Sequence, residues 1–181
     1  MTAPEFSRPE RIDTIGAGER SVTIAADAIE RVALAARFGL LSIDRLEATL
    51  SVRREAAGIV VRGRVGADVV QACTVTDEPI PVTIDEPVAL RFVESGDAGA
   101  DAGGDGEIEL DEHALDTIPY EGGAIDLGEA AAETMALALD PFPRSANAAA
   151  ALRAAGVLSE DEVKPLGGLA GLGDLLKNKP S

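Results

Sequence analysis

The spacing of hydrophobic residues first follows a helix and then a sheet. Residues 22–24 predict a short strand, and Asp27 and Glu30, three positions apart, are typical of the capping box that begins a helix. Gly39 suits the end of this helix, so we predict a helix over residues 27–38. We expect its buried face to consist of Ile29, Val32, Ala33 and Ala36, widened by Leu34 and Phe38.

Hydrophobic and polar residues alternate from residue 43 to residue 93, which predicts the strands of an antiparallel meander. A turn is predicted over residues 55–58. In the strands that follow, Gly63 and Gly66 are expected positions for bulges, and Pro87 is expected to interrupt the last strand.

Beyond the meander, residues 95–106 contain almost only Gly, Ala and Asp, which predicts a disordered acidic loop. A second helix is predicted over residues 128–139, with Asp126 at its start and Pro141 beyond its end. An alanine-rich stretch around residues 147–155 predicts a third, shorter helix.

These elements predict one α+β domain over residues 20–145, in a chain whose 181 residues suit a single domain with extensions. We expect an antiparallel sheet, open or closed into a barrel, packed with two main helices. Residues 1–19 are expected to form a flexible arm, and residues 146–181 a tail that is partly helical or mobile.

The formal net charge of −16 is distributed unevenly. Residues 92–143 carry 14 acidic residues and neither Lys nor Arg. Such a block disfavours nucleic acid and favours a basic partner, although it also suits a solvated surface. We expect no DNA partner. The chain shows no signal peptide and no long apolar run, which predicts a cytoplasmic protein without a membrane partner.

Few residues suit catalysis or metal binding. His113 is the only histidine, which excludes a multi-histidine metal site. Residues 101–112 resemble a calcium-binding loop, but Gly103 offers no side-chain oxygen at the third position. Cys73 lies in a strand pattern and is interpreted as a buried structural residue. We therefore expect no enzyme activity, metal or cofactor.

One pattern indicates a binding surface. If residues 55–58 form a hairpin turn, Arg53 lies opposite Val60 and shares one sheet face with Arg62 and Arg64. Arg91 lies on the same face if the residues on either side of it point inward. Arginines on one face can contact RNA phosphates, or they can balance nearby carboxylates on a solvated face. Both interpretations stay open.

Several segments resemble one protein family. They are "FSRPERIDTI" (6–15), "AADAIERVALAARFGL" (25–40), "LEATLSVRRE" (46–55), "VRGRVGADVVQACTVTDEPIPVTIDEPVALRFV" (61–93) and "AIDLGEAAAETMALALDPFPRS" (124–145). Together they are similar to the YceD-like large ribosomal RNA subunit accumulation proteins, in a form that resembles the alphaproteobacterial branch.

The resemblance implies a non-enzymatic factor for the accumulation of 23S rRNA. It marks Cys73, Asp126, Asp140 and Pro141 as family landmarks that we expect to be structural. Phe142 and Arg144, in the closing block, join the arginines as candidate binding residues. Some relatives carry further cysteines that could bind zinc, but this chain has Ser145 and no second thiol, so no metal is carried over.

Two mechanisms are compatible with this resemblance. In the one we favour, the acidic half binds a basic ribosomal protein or a ribosome assembly factor, and this binding is sensitive to salt. Alternatively, the arginine face contacts rRNA directly, against the general repulsion expected of an acidic protein. A small-molecule-binding barrel is a third interpretation, which would require a cavity lined by polar groups.

Overall fold

A computed structural model describes residues 4–95 and 115–157 of the chain. The predicted acidic loop, the calcium-loop-like segment and most of the tail lie outside these residues. In chain order the elements are β1 (Pro9–Arg11), a single turn of 3-10 helix (Ile12–Thr14), β2 (Arg20–Ala25), α1 (Ala28–Phe38), β3 (Ser42–Glu55), β4 (Gly58–Ala72), β5 (Pro79–Glu94), β6 (Asp116–Tyr120), β7 (Ala124–Asp126), α2 (Leu127–Leu137) and α3 (Ala148–Ala154).

The fold is α+β, as predicted, with a five-stranded sheet in the order β2-β3-β4-β5-β6 and a two-stranded sheet of β1 and β7. Strands β2 to β5 form the predicted antiparallel meander, whereas β6 runs parallel to β5. The expectation that the sheet might close into a barrel was wrong. Strands β2 and β6 are the two ends of an open sheet, and β6 is too short to extend along β5 beyond Leu90–Glu94.

The β3–β4 hairpin has the predicted register, because the turn after Glu55 pairs Arg53 with Val60. The predicted bulges at Gly63 and Gly66 are absent from β4, whose pairing with both neighbours continues through these positions. Gly63 instead permits a close approach of two backbones, since a Cβ atom there would overlap the carbonyl of Thr49. The irregularity falls in β3, between Ile43 and Arg45.

Strand β5 is not interrupted at Pro87, which was expected to break it. Pro87 pairs with Arg64 on one side, and β6 begins its pairing only at Leu90. Pro87 therefore lies on an edge of the sheet, where the missing N–H interrupts no hydrogen bond of a neighbouring strand.

Helix α1 begins and ends where the sequence predicts. The Asp27 side chain accepts hydrogen bonds from the N–H groups of Ile29 and Glu30, and Glu30 accepts one from the N–H of Asp27, which completes the capping box. Gly39 ends the helix with a φ of 66°, in the left-handed region that favours glycine.

The predicted buried face of α1 was right for Leu34 and Phe38, which contact the core, but wrong for Ile29, Val32 and Ala36. Ile29 is 81% exposed and Val32 is 72% exposed, whereas Leu34 and Ala35 are buried against the sheet. The helix carries apolar residues on two sides, and only the side with Leu34 contacts the core. The spacing of residues does not indicate which of two apolar sides faces the sheet.

The chain before β2 contributes to the core, although its composition suggested a flexible arm. The Phe6 side chain is completely buried, and Arg8 forms an ion pair with Glu30 of α1 at 2.7 Å. Asp126 attaches this segment to α2, because its carboxylate accepts hydrogen bonds from the backbone N–H of Arg8 and the hydroxyl of Ser7. Residues 4–15 therefore belong to the same packed unit as the sheet.

Candidate functional site

The four candidate arginines of the sheet lie on one face. Arg62 pairs across the sheet with Ser51 and Ala89, and Arg91 pairs with Val60 and Thr117. The opposite face carries the buried residues of the core and contacts both α1 and α2. Arg53, Arg62, Arg64 and Arg91 therefore project from the side of the sheet that no described helix covers, an area that we call the outer face.

Part of the outer face is electrically balanced. Nε of Arg64 lies 2.7 Å from Oδ1 of Asp85, and this hydrogen bond raises the pKa of Arg64 and lowers that of Asp85. Arg53 pairs with Glu55 at 2.5 Å. Arg45, which was not among the predicted binding residues, pairs with Glu47 and Asp68 at 2.6 and 2.7 Å.

Arg62 and Arg91 differ from their neighbours on the outer face. Within residues 4–95 and 115–157, neither guanidinium forms an ion pair, and Nε of Arg91 is buried without a hydrogen-bond partner. Their pairings place them diagonally on adjacent strands, within reach of one another. Ser51 and Thr117 place hydroxyl groups beside them in the same two cross-strand rows. This arrangement can bind an anion such as a phosphate group.

Cys73 directly follows the last residue of β4, at the other end of the strand from Arg62, and lies in a tight turn. Its Sγ atom is buried and accepts hydrogen bonds from the N–H groups of Ser145, at 3.3 Å, and Val75, at 3.5 Å. The turn closes through the N–H of Cys73, which donates to the carbonyl of Glu78, and contains Asp77 with a φ of 56°. Burial raises the pKa of the thiol, but hydrogen bonds led by that of Ser145 outweigh burial and lower the pKa from 9.0 to about 6.

The segment after α2 is held against this turn at several points. Gln71 donates from Nε2 to the carbonyl of Asp140 at 2.9 Å, and Asp140 accepts the N–H of Phe142 on its own carboxylate. Thr74 donates its N–H to the carbonyl of Pro143 at 2.9 Å. Pro141 and Pro143 further restrict the backbone. Cys73, Asp140 and Pro141, the landmarks that the resemblance implies, thus maintain the shape of one loop, residues 140–145.

This loop displays two candidate binding residues. The Phe142 side chain is 72% exposed although its backbone is fixed on both sides. Arg144 is exposed and has no ion-pair partner among the residues that the structure describes. Ten strand positions separate Arg62 from Ala72 beside this loop, a distance of about 33 Å. The structure therefore separates the candidate residues into two surfaces.

Asp126, the remaining landmark, is a structural anchor. In addition to its bonds to Ser7 and Arg8, its carboxylate accepts the N–H groups of Gly128 at 2.9 Å and Glu129 at 3.2 Å, and so caps α2. The Asp-x-x-Glu pattern correctly predicts the helix start, but it does not indicate the contact with the N-terminal segment, which lies 118 positions away.

Metal and small-molecule sites receive no support from the described residues. Among residues 4–95 and 115–157, no group of three or more His, Cys, Asp or Glu side chains is arranged to hold a metal ion. His113 and residues 101–112 lie outside these ranges. Since the sheet is open, there is no barrel interior to enclose a small molecule. Within the same ranges, no helix has the length and apolar character needed to cross a membrane.

The fold and its surfaces define an α+β protein with two separate candidate binding surfaces. A family model described as "Large ribosomal RNA subunit accumulation protein YceD" matches residues 61–175, well over half of the chain. The chain belongs to this family, whose description connects it with accumulation of the RNA of the large ribosomal subunit. The match extends into the leucine-rich tail. No curated protein and no solved structure matches the chain.

Proposed function

We propose that the protein acts without catalysis in the accumulation of 23S rRNA and the biogenesis of the large ribosomal subunit, by binding a basic ribosomal protein or a ribosome assembly factor. The charge distribution carries this proposal, because residues 92–143 contain 14 acidic and no basic residues. Proteins that bind rRNA are usually cationic, and an acidic partner can shield that charge before assembly. In this proposal the protein works in the cytoplasm, where ribosomes assemble.

The described part of this acidic block supports an accessible binding surface. Asp116, Glu121 and Glu133 are exposed, and none forms an ion pair within the described ranges. By contrast, Glu129 of the block binds Arg37, and carboxylates outside it at Glu30, Asp68 and Asp85 bind other arginines of the chain. The second half of the molecule thus keeps negative charge available for a cationic partner.

Depletion of the protein in its native cell tests the cellular role. We expect 23S rRNA and large subunits to fall relative to 16S rRNA and small subunits, measured on fractionated ribosomal particles. Restoration by the full chain is the control. Unchanged ratios after depletion would contradict the proposal.

A binding measurement with purified basic ribosomal proteins of the large subunit tests the mechanism. We expect Glu121→Gln/Glu133→Gln to weaken binding roughly two- to thirtyfold at low salt, since each of the two exposed ion pairs is worth about 0.2–1 kcal/mol. Glu19→Gln/Glu86→Gln removes the same charge from exposed positions outside the acidic block and serves as the matched control. Affinity that does not change with salt, or equal losses in both variants, would contradict an acidic binding surface.

Direct contact with rRNA is a second candidate, and one observation favours it: Arg62 and Arg91 have no ion-pair partner among the described residues, although other arginines of the outer face do. With fragments of 23S rRNA, Arg62→Gln/Arg91→Gln should weaken binding and reduce the salt dependence by about 0.7–0.9 per lost phosphate contact, on logarithmic scales. Arg11→Gln/Arg20→Gln removes the same charge elsewhere. Identical salt dependence in the two variants would exclude the outer face as an RNA contact.

A further inference from the structure

One side of α1 is an apolar surface without a partner. Ile29 is 81% exposed, Val32 is 72% exposed and Leu41, just beyond the helix, is 55% exposed. Ile29, Val32 and the exposed Ala36 follow one another at helical spacing, so they form a continuous stripe. Ile29 and Val32 of this stripe, together with Leu41, are three of the six large exposed hydrophobic residues in the described ranges. A contiguous patch of this kind usually marks a contact surface.

The stripe borders a groove of about 500 Å³ between α1 and the start of β3. The groove exists because β2 stops pairing with β3 at Glu47, which leaves the first residues of β3 without a strand on that side. Its rim carries Arg31 and Asp44, and neither forms an ion pair within the described ranges. An occupant of this groove therefore needs apolar side chains together with both a negative and a positive charge.

We propose that the chain's own C-terminal segment, residues 166–177, occupies this groove, which we call the α1–β3 groove. The segment repeats leucine at every third position, in Leu166, Leu169, Leu172 and Leu175. It also contains Asp174 and Lys177, whose charges are opposite to those of Arg31 and Asp44 in the groove.

The connection is long enough for this docking. The described chain ends at Val157, and the nine residues from there to Leu166 span up to about 30 Å when extended. The chain passes close to the groove shortly before α3, because Pro143 lines the same pocket as Leu40. Leu40 in turn lines the α1–β3 groove. The family match includes all four leucines, so the segment belongs to the same family unit as the sheet.

Cysteine cross-linking in the full chain tests the proposal. Val32→Cys places a thiol in the α1–β3 groove, and Leu172→Cys places one in the segment. Cys73 is retained, since it is completely buried. The matched control replaces Leu137, which is 87% exposed on α2 and does not line the groove, in a Leu137→Cys/Leu172→Cys variant. A short bifunctional maleimide should join residues 32 and 172 within one chain at least about tenfold faster than residues 137 and 172, because docking raises the local concentration only at the groove.

The other outcomes overturn the proposal. Equal rates at the two positions would mean that the segment is tethered but not docked. Links between two chains would identify a second copy as the occupant, and the absence of a link at residue 32 in the purified protein would leave the groove to another partner.

A second measurement avoids introduced thiols. In Leu169→Asp/Leu172→Asp, we expect the methyl NMR signals of Ile29, Val32 and Leu41 to shift while those of Leu137 stay in place. Unchanged signals on α1 would also contradict docking. Because neither measurement involves ribosomal components, failure of this inference and failure of the proposed function can be distinguished.

Discussion

The backbone N–H of Ser145 donates a hydrogen bond to Sγ of Cys73 at 3.3 Å, across 72 positions of the chain. The same two segments are joined by the hydroxyls of Thr76 and Ser145 and by Asn147, which donates to Glu78 at 2.9 Å. Cys73 is therefore the acceptor around which a turn and a loop assemble. These hydrogen bonds fix the backbone next to the exposed side chain of Phe142.

The Cys73 thiol should make folding stability depend on pH. Its pKa is lowered from 9.0 to about 6 in the folded protein, because hydrogen bonds to Sγ outweigh burial. The folded state therefore binds its proton less tightly than the unfolded state, and the resulting stabilisation is complete above pH 9 and is lost as the pH falls towards 6. We expect the free energy of unfolding in urea to rise between pH 6 and pH 9 more steeply in the natural chain than in Cys73→Ser.

The difference in the free energy of unfolding between the natural protein and Cys73→Ser gives the contribution of the thiol, since all other titrating groups are the same. The ultraviolet absorbance of the thiolate gives a direct check on the folded protein. A titration midpoint near the ordinary value for cysteine, or parallel stability curves, would show that Ser145 and Val75 do not stabilise the charged form.

Asp126 should be the more important of the two helix-capping aspartates. Asp126→Ala removes the acceptor for α2 and for the N-terminal segment together and leaves four partly buried donors unsatisfied, so we expect a loss of about 2–4 kcal/mol in the free energy of unfolding. Asp27→Ala removes only the cap of α1 and should cost about 1 kcal/mol. Chemical denaturation of both variants measures the comparison, and equal losses would refute a bridging role for Asp126.

Gly128 should tolerate no side chain, because of the close approach of the N-terminal segment to α2. A Cβ atom there would lie less than 3.0 Å from the carbonyl oxygen of Phe6. Gly128→Ala should therefore separate the two segments and destabilise the fold by about 1–3 kcal/mol, even though alanine favours helices. Gly123 has an open surrounding and no positive φ, so Gly123→Ala is the matched control and should be close to neutral. A thermal shift of the same size in both variants would contradict this packing.

Local signals in the sequence predict the parts of the fold that local contacts determine. The turn after Glu55 sets the register that places Arg53 opposite Val60, and Asp27, Glu30 and Gly39 mark the ends of α1 correctly. In each case the interacting residues lie close together in the chain, so residue type and spacing contain the necessary information.

Contacts between distant segments determine the parts that the sequence does not reveal. Both sides of α1 are apolar, and the sheet selects the side with Leu34, which leaves Val32 exposed. The parallel pairing of β6 joins Asp116 to Leu90, a residue of a distant segment. The partners of Arg64 and Cys73 also come from other segments. The sequence therefore does not indicate that Arg64 forms an ion pair with Asp85, or that the N–H of Ser145 donates a hydrogen bond to Cys73.

Phe142 should separate function from stability. Its side chain is 72% exposed, so Phe142→Ala should change the free energy of unfolding by less than about 0.5 kcal/mol. If the loop displays Phe142 to a partner, the same variant should fail to restore 23S rRNA in depleted cells, because an exposed aromatic side chain on a fixed backbone is typical of a binding hot spot. Phe6→Ala is the contrasting variant, since Phe6 is completely buried and its loss should cost about 3–5 kcal/mol. Full restoration of 23S rRNA by a stably folded Phe142→Ala protein would show that this loop is maintained for packing and not for recognition.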